Sequence, residues 1–222
     1  MTASMNTYWN ARYQDGRLWG DDAVPSANMA SDWFRKYHVT KVLVPGCGYG
    51  RNSLWLAKQG FQVTAFDVSD VAIQLAIEQA NQQGLKINYF VGDLFDPELL
   101  KNMQFDGVYL SNVLHLFLAD QRQRLWDRIH ALLKPGGMLV LTCISVYDQN
   151  NYGIGREVEQ NTFEKHEGKP LHFYTEEEVL RIFEEKYEVL MHTLHVQTES
   201  DPSGESEDLQ LWFVVGKKRQ FR

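Results

Sequence analysis

Between residues 41 and 145 the chain alternates two hydrophobic rhythms. Short apolar or alternating runs read as strands: KVLVPG (41–46), FQVTAFD (61–67), KINYFVGD (86–93), FDGVYLSNV (105–113) and MLVLTCIS (138–145). Between them, RNSLWLAKQG, SDVAIQLAIEQANQQG and DQRQRLWDRIHALL place apolar residues three and four apart, the spacing of one helix face. Ser69 reads as the cap that opens the second helix, and Gly60 and Gly84 as stops. KPGG (134–137) reads as the turn before the last strand. This alternation predicts an α/β fold with a mostly parallel sheet and helices on both faces.

The flanks differ in texture. Residues 1–40 are rich in aromatics (Tyr8, Trp9, Tyr13, Trp19, Trp33, Phe34, Tyr37) and end in a helix predicted from Ser26. Residues 146–172 lack periodicity and hold Gly153, Gly155, Gly168 and Pro170, which predicts an ordered insertion or lid. A helix capped by Thr175 follows. Then YEVLMHTLHV and DLQLWFVVG, joined by the turn-rich QTESDPSGESE, read as an antiparallel pair closing one sheet edge. No repeat or internal boundary interrupts this order, so residues 1–222 are expected to form a single domain.

Composition narrows the function. The 222 residues carry a net charge of −7, with a basic cluster only in GKKRQFR at the end. Nucleic acid is therefore not the expected partner, because phosphate contacts need a basic face. Cys47 and Cys143 are too few for a disulfide framework or a zinc site. No metal is expected. No apolar run reaches the ~18 residues of a membrane span, and the start lacks a secretory signal. A cytoplasmic monomer or homodimer is expected.

The chemistry centres on VLVPGCGYGRN (42–52). A phosphate-binding loop needs GxxxxGK[ST], which is absent. A dinucleotide fingerprint needs a third glycine where Arg51 stands, which disfavours a nicotinamide cofactor. The remaining pattern is GxGxG, formed by Gly46, Gly48 and Gly50. Asp67 ends the next strand and Asp93 the one after. Two carboxylates there suit a nucleoside without phosphates, one facing a ribose and one an adenine amino group.

Taken together, VLVPGCGYG, VTAFDVS, FVGDLF, FDGVYLSNVLHLF and LLKPGGMLVLT resemble the class I S-adenosylmethionine-dependent methyltransferases in order and spacing. YWNARYQDGRLWG and GRNSLWLA are similar to the small-molecule branch that acts on tellurite, thiopurines and thiols. The resemblance implies a doubly wound, Rossmann-like sheet of seven strands with the antiparallel pair at its C-terminal edge. It implies an aromatic cover (1–40), a cofactor-binding core (41–145), a lid (146–172) and a C-terminal helix and strand pair (173–222). S-adenosylmethionine is the implied cofactor. Its implied contacts are Trp19, Gly46, Cys47, Gly48, Gly50, Arg51, Asn52, Asp67, Val68, Asp93, Leu94, Ser111 and Asn112. One departure stands out: many members carry an acidic residue two before the first glycine, and here it is Val44.

The implied reaction is methyl transfer to a small molecule, with a soft or anionic acceptor such as a thiol or tellurite-like oxyanion preferred. An oxygen or nitrogen acceptor would want a base, for which His115, His172 and Glu159 are the candidates by location. Tyr152, Arg156 and Tyr174 are the candidate acceptor contacts. A protein that binds the cofactor without turnover is the alternative from another class.

Overall fold

The computed structural model describes residues 2–14, 16, 19–200 and 205–220. Its helices are α1 (Thr2–Gln14), α2 (Pro25–Lys36), α3 (Arg51–Lys58), α4 (Asp70–Gln82), α5 (Ala119–Leu132) and α6 (Glu176–Glu184). Its first five strands are β1 (Lys41–Pro45), β2 (Gln62–Asp67), β3 (Asn88–Val91), β4 (Phe105–Ser111) and β5 (Leu133–Ile144). β6 (Arg156–Glu159), β7 (Thr162–His166), β8 (Lys169–His172), β9 (Tyr187–Ser200) and β10 (Ser206–Lys218) follow.

The seven-stranded sheet has the order β3-β2-β1-β4-β5-β10-β9. Its first five strands are parallel, and β10 runs antiparallel to both β5 and β9. The Rossmann-like α/β expectation and the C-terminal antiparallel pair are therefore both present. Alternate residues of each strand serve opposite faces. Val42, Val44, Val63 and Ala65 pack with Ala27, Ala30, Phe34 and Leu56 of α2 and α3. Leu43, Phe66, Leu110 and Leu141 pack with Leu125, Ile129, Val179 and Phe183 of α5 and α6. Both faces are covered, so the central strands read as nearly continuous apolar runs. Each fully buried side chain of this kind stabilises the fold by ~1.5–3 kcal/mol.

Four elements depart from the sequence expectations. KPGG is not a free turn: β5 starts at Leu133, straight after α5. A register shift against β4 absorbs the extra residues, pairing Phe105 with Leu133 and Gly107 with Met138. Residues 146–172, where the sequence shows no periodicity, hold β6, β7 and β8 paired as a separate antiparallel sheet. The turn expected over 197–207 is mostly strand, with Thr198 Oγ1 bonded to Asp208 (2.7 Å) and Ser200 to Ser206 (2.8 Å) across the hairpin. Residues 201–204 of it lie outside the described residues. Finally, α1 was legible only as an aromatic-rich stretch. It lies on α4, where Asn10 accepts from Ser69 Oγ (2.6 Å) and donates to Asp70 (2.5 Å).

Ser69 and Thr175 cap α4 and α6 as expected, accepting the N–H of Ala72 and of Glu178 at 3.1 Å. α2 begins at Pro25, one residue before the expected Ser26, and proline suits a first helical position. No helix among the described residues is long and apolar enough to cross a membrane.

Candidate active site

β1, β2 and β4 end side by side at Pro45, Asp67 and Ser111. Parallel strands put their carboxyl ends on one edge, the edge where α/β sheets bind ligands. β10 enters antiparallel, with Leu211 opposite Ile144 of β5, so its first residues overhang that same edge. Trp9 and Tyr13 of α1 line that edge too, together with Trp19. These pieces enclose a cleft of about 340 Å³ lined by residues from every part of the chain.

Gly46, Cys47 and Gly48 form its floor, with Asp67 and Val68 beside them and Asp93 and Leu94 beyond. Asp67 is almost fully buried. Its Oδ2 accepts the Gly48 N–H (2.8 Å) and its Oδ1 the Ser69 N–H (3.0 Å). Burial raises its pKa, while the backbone N–H groups of Ser69, Gly48 and Val68 pull it back. A carboxylate offers about four lone-pair sites, so Asp67 keeps room to accept from a ligand hydroxyl. Asp93 accepts the Phe95 N–H through Oδ1 (2.9 Å). Ser111 and Asn112 are held by Thr142, whose Oγ1 lies 2.9 Å from Ser111 Oγ and donates to Asn112 Oδ1 at 3.0 Å. The floor thus offers backbone, two carboxylates and two small polar side chains, which fits a phosphate-free nucleoside.

Cys47 keeps its proton, because burial first and the charge of Asp67 second raise its pKa well above the ordinary thiol value. It is a packing residue of the loop, not a nucleophile. The wall above it is aromatic. Trp9, Tyr13 and Trp19 line the cleft, and Trp19 stacks on Tyr49 at 6.3 Å between ring centres. Asn52 accepts the Val24 N–H (3.1 Å), which ties the N-terminal segment to α3.

His115 lines the cleft from a single 3₁₀ turn, Leu114–Leu116. Its Nδ1 accepts the Ile144 N–H at 3.0 Å, so the neutral ring carries its proton on Nε2. Burial, reinforced by the neighbouring His172, lowers its pKa to about 3. At neutral pH this side chain is a hydrogen-bond donor with no free basic nitrogen.

Other expected residues fall outside the cleft lining, each for a visible reason. Gly50 caps α3 with φ +88°, and a Cβ there would meet Tyr89 Oη at 2.6 Å. It is required by packing. His172 is buried between Thr162 Oγ1 (2.8 Å) and Glu178 (2.9 Å), fastening β8 to α6. Tyr174 is buried against it, ring on ring at 4.5 Å. Tyr152 packs on Phe163 and Phe173 and donates to Asn161. Arg156 is exposed and pairs with Glu164 (2.9 Å). Glu159 holds the start of α5, accepting from Ala119 N and Arg122.

The sequence reading missed Glu199 and Glu207, which reach the cleft from the tip of the β9–β10 hairpin. Their only sequence signal was a polar stretch, which reads as a turn. Asn151 donates to Glu207 at 2.8 Å. Among the described residues lining the cleft, four carboxylates (Asp67, Asp93, Glu199, Glu207) face one guanidinium, Arg51. Arg51 in turn donates to Glu199 at 2.7 and 2.9 Å. No cluster of three His, Cys, Asp or Glu side chains among the described residues could hold a metal ion.

The family model described as a methyltransferase domain matches residues 42–137. The thiopurine S-methyltransferase of Acinetobacter baylyi is 24% identical over 95% of this chain and 98% of its own length. A human tRNA N(3)-cytidine methyltransferase is 29% identical over 64% of this chain, which spans only 40% of it. Among solved structures, the 1,6-didemethyltoxoflavin-N1-methyltransferase of Burkholderia thailandensis superposes with a TM-score of 0.72 at 22% identity, covering 98% of this chain and 88% of its own. The methyltransferase-domain match, the thiopurine S-methyltransferase relative and the shared fold support a class I S-adenosylmethionine-dependent methyltransferase.

Proposed function

We propose that the cleft methylates a small, soft nucleophile, a thiol or thione, that needs no enzyme base. The observation that carries this reading is the hydrogen bond from Ile144 N–H to His115 Nδ1. With that nitrogen occupied and Nε2 protonated, His115 stabilises a sulfur lone pair or thiolate by donation and takes no proton. Bound S-adenosylmethionine supplies a sulfonium methyl that is already electrophilic, so alignment and exclusion of water carry much of the rate.

In this reading Asp67 accepts from the ribose hydroxyls, and Asp93 with Leu94 receives the adenine. Gly46 and Gly48 present backbone to the methionine chain, beside Ser111 and Asn112. Trp9, Tyr13 and Trp19 cover the cofactor and dry the site, and an aromatic face near the sulfonium adds cation–π attraction. The small sheet β6–β8 walls the acceptor side through Leu171. The surplus of carboxylates disfavours an oxyanion such as tellurite and a polynucleotide alike, since both would want cations. A neutral thiol or thione meets neither obstacle.

The test is a pH profile of kcat/KM across a series of thiols of different acidity. The alkaline rise should move with the acceptor's own pKa, and His115→Gln should retain most of the activity. A fixed limb near pH 6–7 that vanishes in His115→Gln would replace this reading with base-assisted transfer to oxygen or nitrogen.

A further inference from the structure

At one end of the cleft Arg51 and Glu199 form an ion pair from opposite ends of the sequence, with side chains 14% and 11% exposed. Each is anchored a second time. Arg51 Nη1 donates to the Trp19 carbonyl (2.6 Å). Glu199 accepts from Gln197 Nε2, and Gln197, itself fully buried, accepts from Ser26 Oγ at 3.3 Å. If the two charges part, both therefore stay in place. A surface latch would need no such support, and a buried pair has already borne its desolvation.

Arg51 is the first residue of α3, directly after the glycine loop. Val44, which stands where the family often has a carboxylate, is buried among apolar side chains and offers no polar group. The cofactor ends in an α-amino acid, a carboxylate and an ammonium on one carbon. A zwitterion is matched by one cation and one anion set side by side.

We propose that Arg51 and Glu199 are the recognition site for the α-amino-acid end of the ligand. The guanidinium takes the carboxylate and Glu199 takes the ammonium. Binding exchanges one internal ion pair for two across the interface. The C-terminal hairpin is thereby a working wall of the cofactor site, and the proposal rests on the cofactor assignment above.

Calorimetry on the full chain tests it with two ligands that differ only at that end. S-adenosylhomocysteine has the amino acid, and 5′-methylthioadenosine lacks it. Glu199→Gln should weaken S-adenosylhomocysteine by about tenfold or more, equivalent to about 1.4 kcal/mol, and leave methylthioadenosine unchanged. Arg51→Lys, which keeps the charge but loses the fork, should give a smaller loss on the same ligand alone. Retained methylthioadenosine binding also shows that each variant is folded. Equal losses on both ligands, or no loss on either, would overturn the proposal. A wild-type chain that binds neither ligand would overturn the cofactor assignment itself, and the pair's role with it.

Discussion

A Cβ added at Gly48 would lie 2.8 Å from Tyr13 Oη, at a backbone φ of +54° that side chains rarely adopt. Gly48→Ala should therefore push the Tyr13 hydroxyl aside as well as strain the loop. We expect a stability loss of roughly 1–3 kcal/mol together with weaker cofactor binding, read by thermal unfolding with and without S-adenosylhomocysteine. Gly50→Ala makes a useful contrast. It meets Tyr89 and Ala76, away from the cleft, so stability should fall with little change in affinity for the folded protein. Asp67→Ala leaves the Gly48 and Ser69 N–H groups without partners, each costing about 1–3 kcal/mol if it stays dry. S-adenosylmethionine affinity should drop with it; unchanged calorimetric affinity would remove Asp67 from the ribose site. His115 adds a pH effect. Its folded pKa, about 3, lies below the unfolded value near 6.5, so below pH 6.5 the unfolded chain takes up a proton that the folded one refuses. Stability should fall as pH drops from 6.5 toward 3, by up to about 1.4 kcal/mol per unit. His115→Gln should flatten that limb in urea titrations at successive pH values.

At the scale of elements, capping and periodicity make α4 and α6 legible in the sequence. Thr175→Ala should cost about 1 kcal/mol through its lost bond to the Glu178 N–H, checked by urea unfolding. The central strands were equally plain, because a sheet covered on both faces leaves a nearly continuous apolar signature. α1 was not, since its apolar residues are aromatics gathered toward a cleft and not along a regular stripe. β6–β8 were hidden for a related reason: their short strands carry Lys, Glu and His on exposed faces, and polarity with glycine reads as loop. Within the site, the strand-end residues Gly46, Asp67 and Ser111 were found because local motif and topology place them together. Glu199 and Glu207 were not, because only the antiparallel addition of β10 carries them to that edge. Tyr152, Arg156 and His172, by contrast, lie outside the cleft lining. Lying within a segment of no visible periodicity says nothing about which way its paired strands turn them.

Across the whole molecule, three segments far apart in sequence share one cleft, so ligand binding and overall stability should be coupled. At 100 times its dissociation constant, S-adenosylhomocysteine should add about 2.7 kcal/mol, a shift of roughly 5–10 °C for a chain of this size. NAD should give none, and a shift with NAD alone would require reassigning the glycine loop. The same layout has a consequence for synthesis. The motif-bearing core, residues 41–145, leaves the ribosome before β9 and β10 exist. Such an intermediate holds every recognisable cofactor motif, yet its cleft lacks a wall and β5 is a bare apolar edge inviting the wrong partner. Enzyme competence should therefore emerge late and abruptly in translation, when the hairpin docks, and not gradually as the motifs appear.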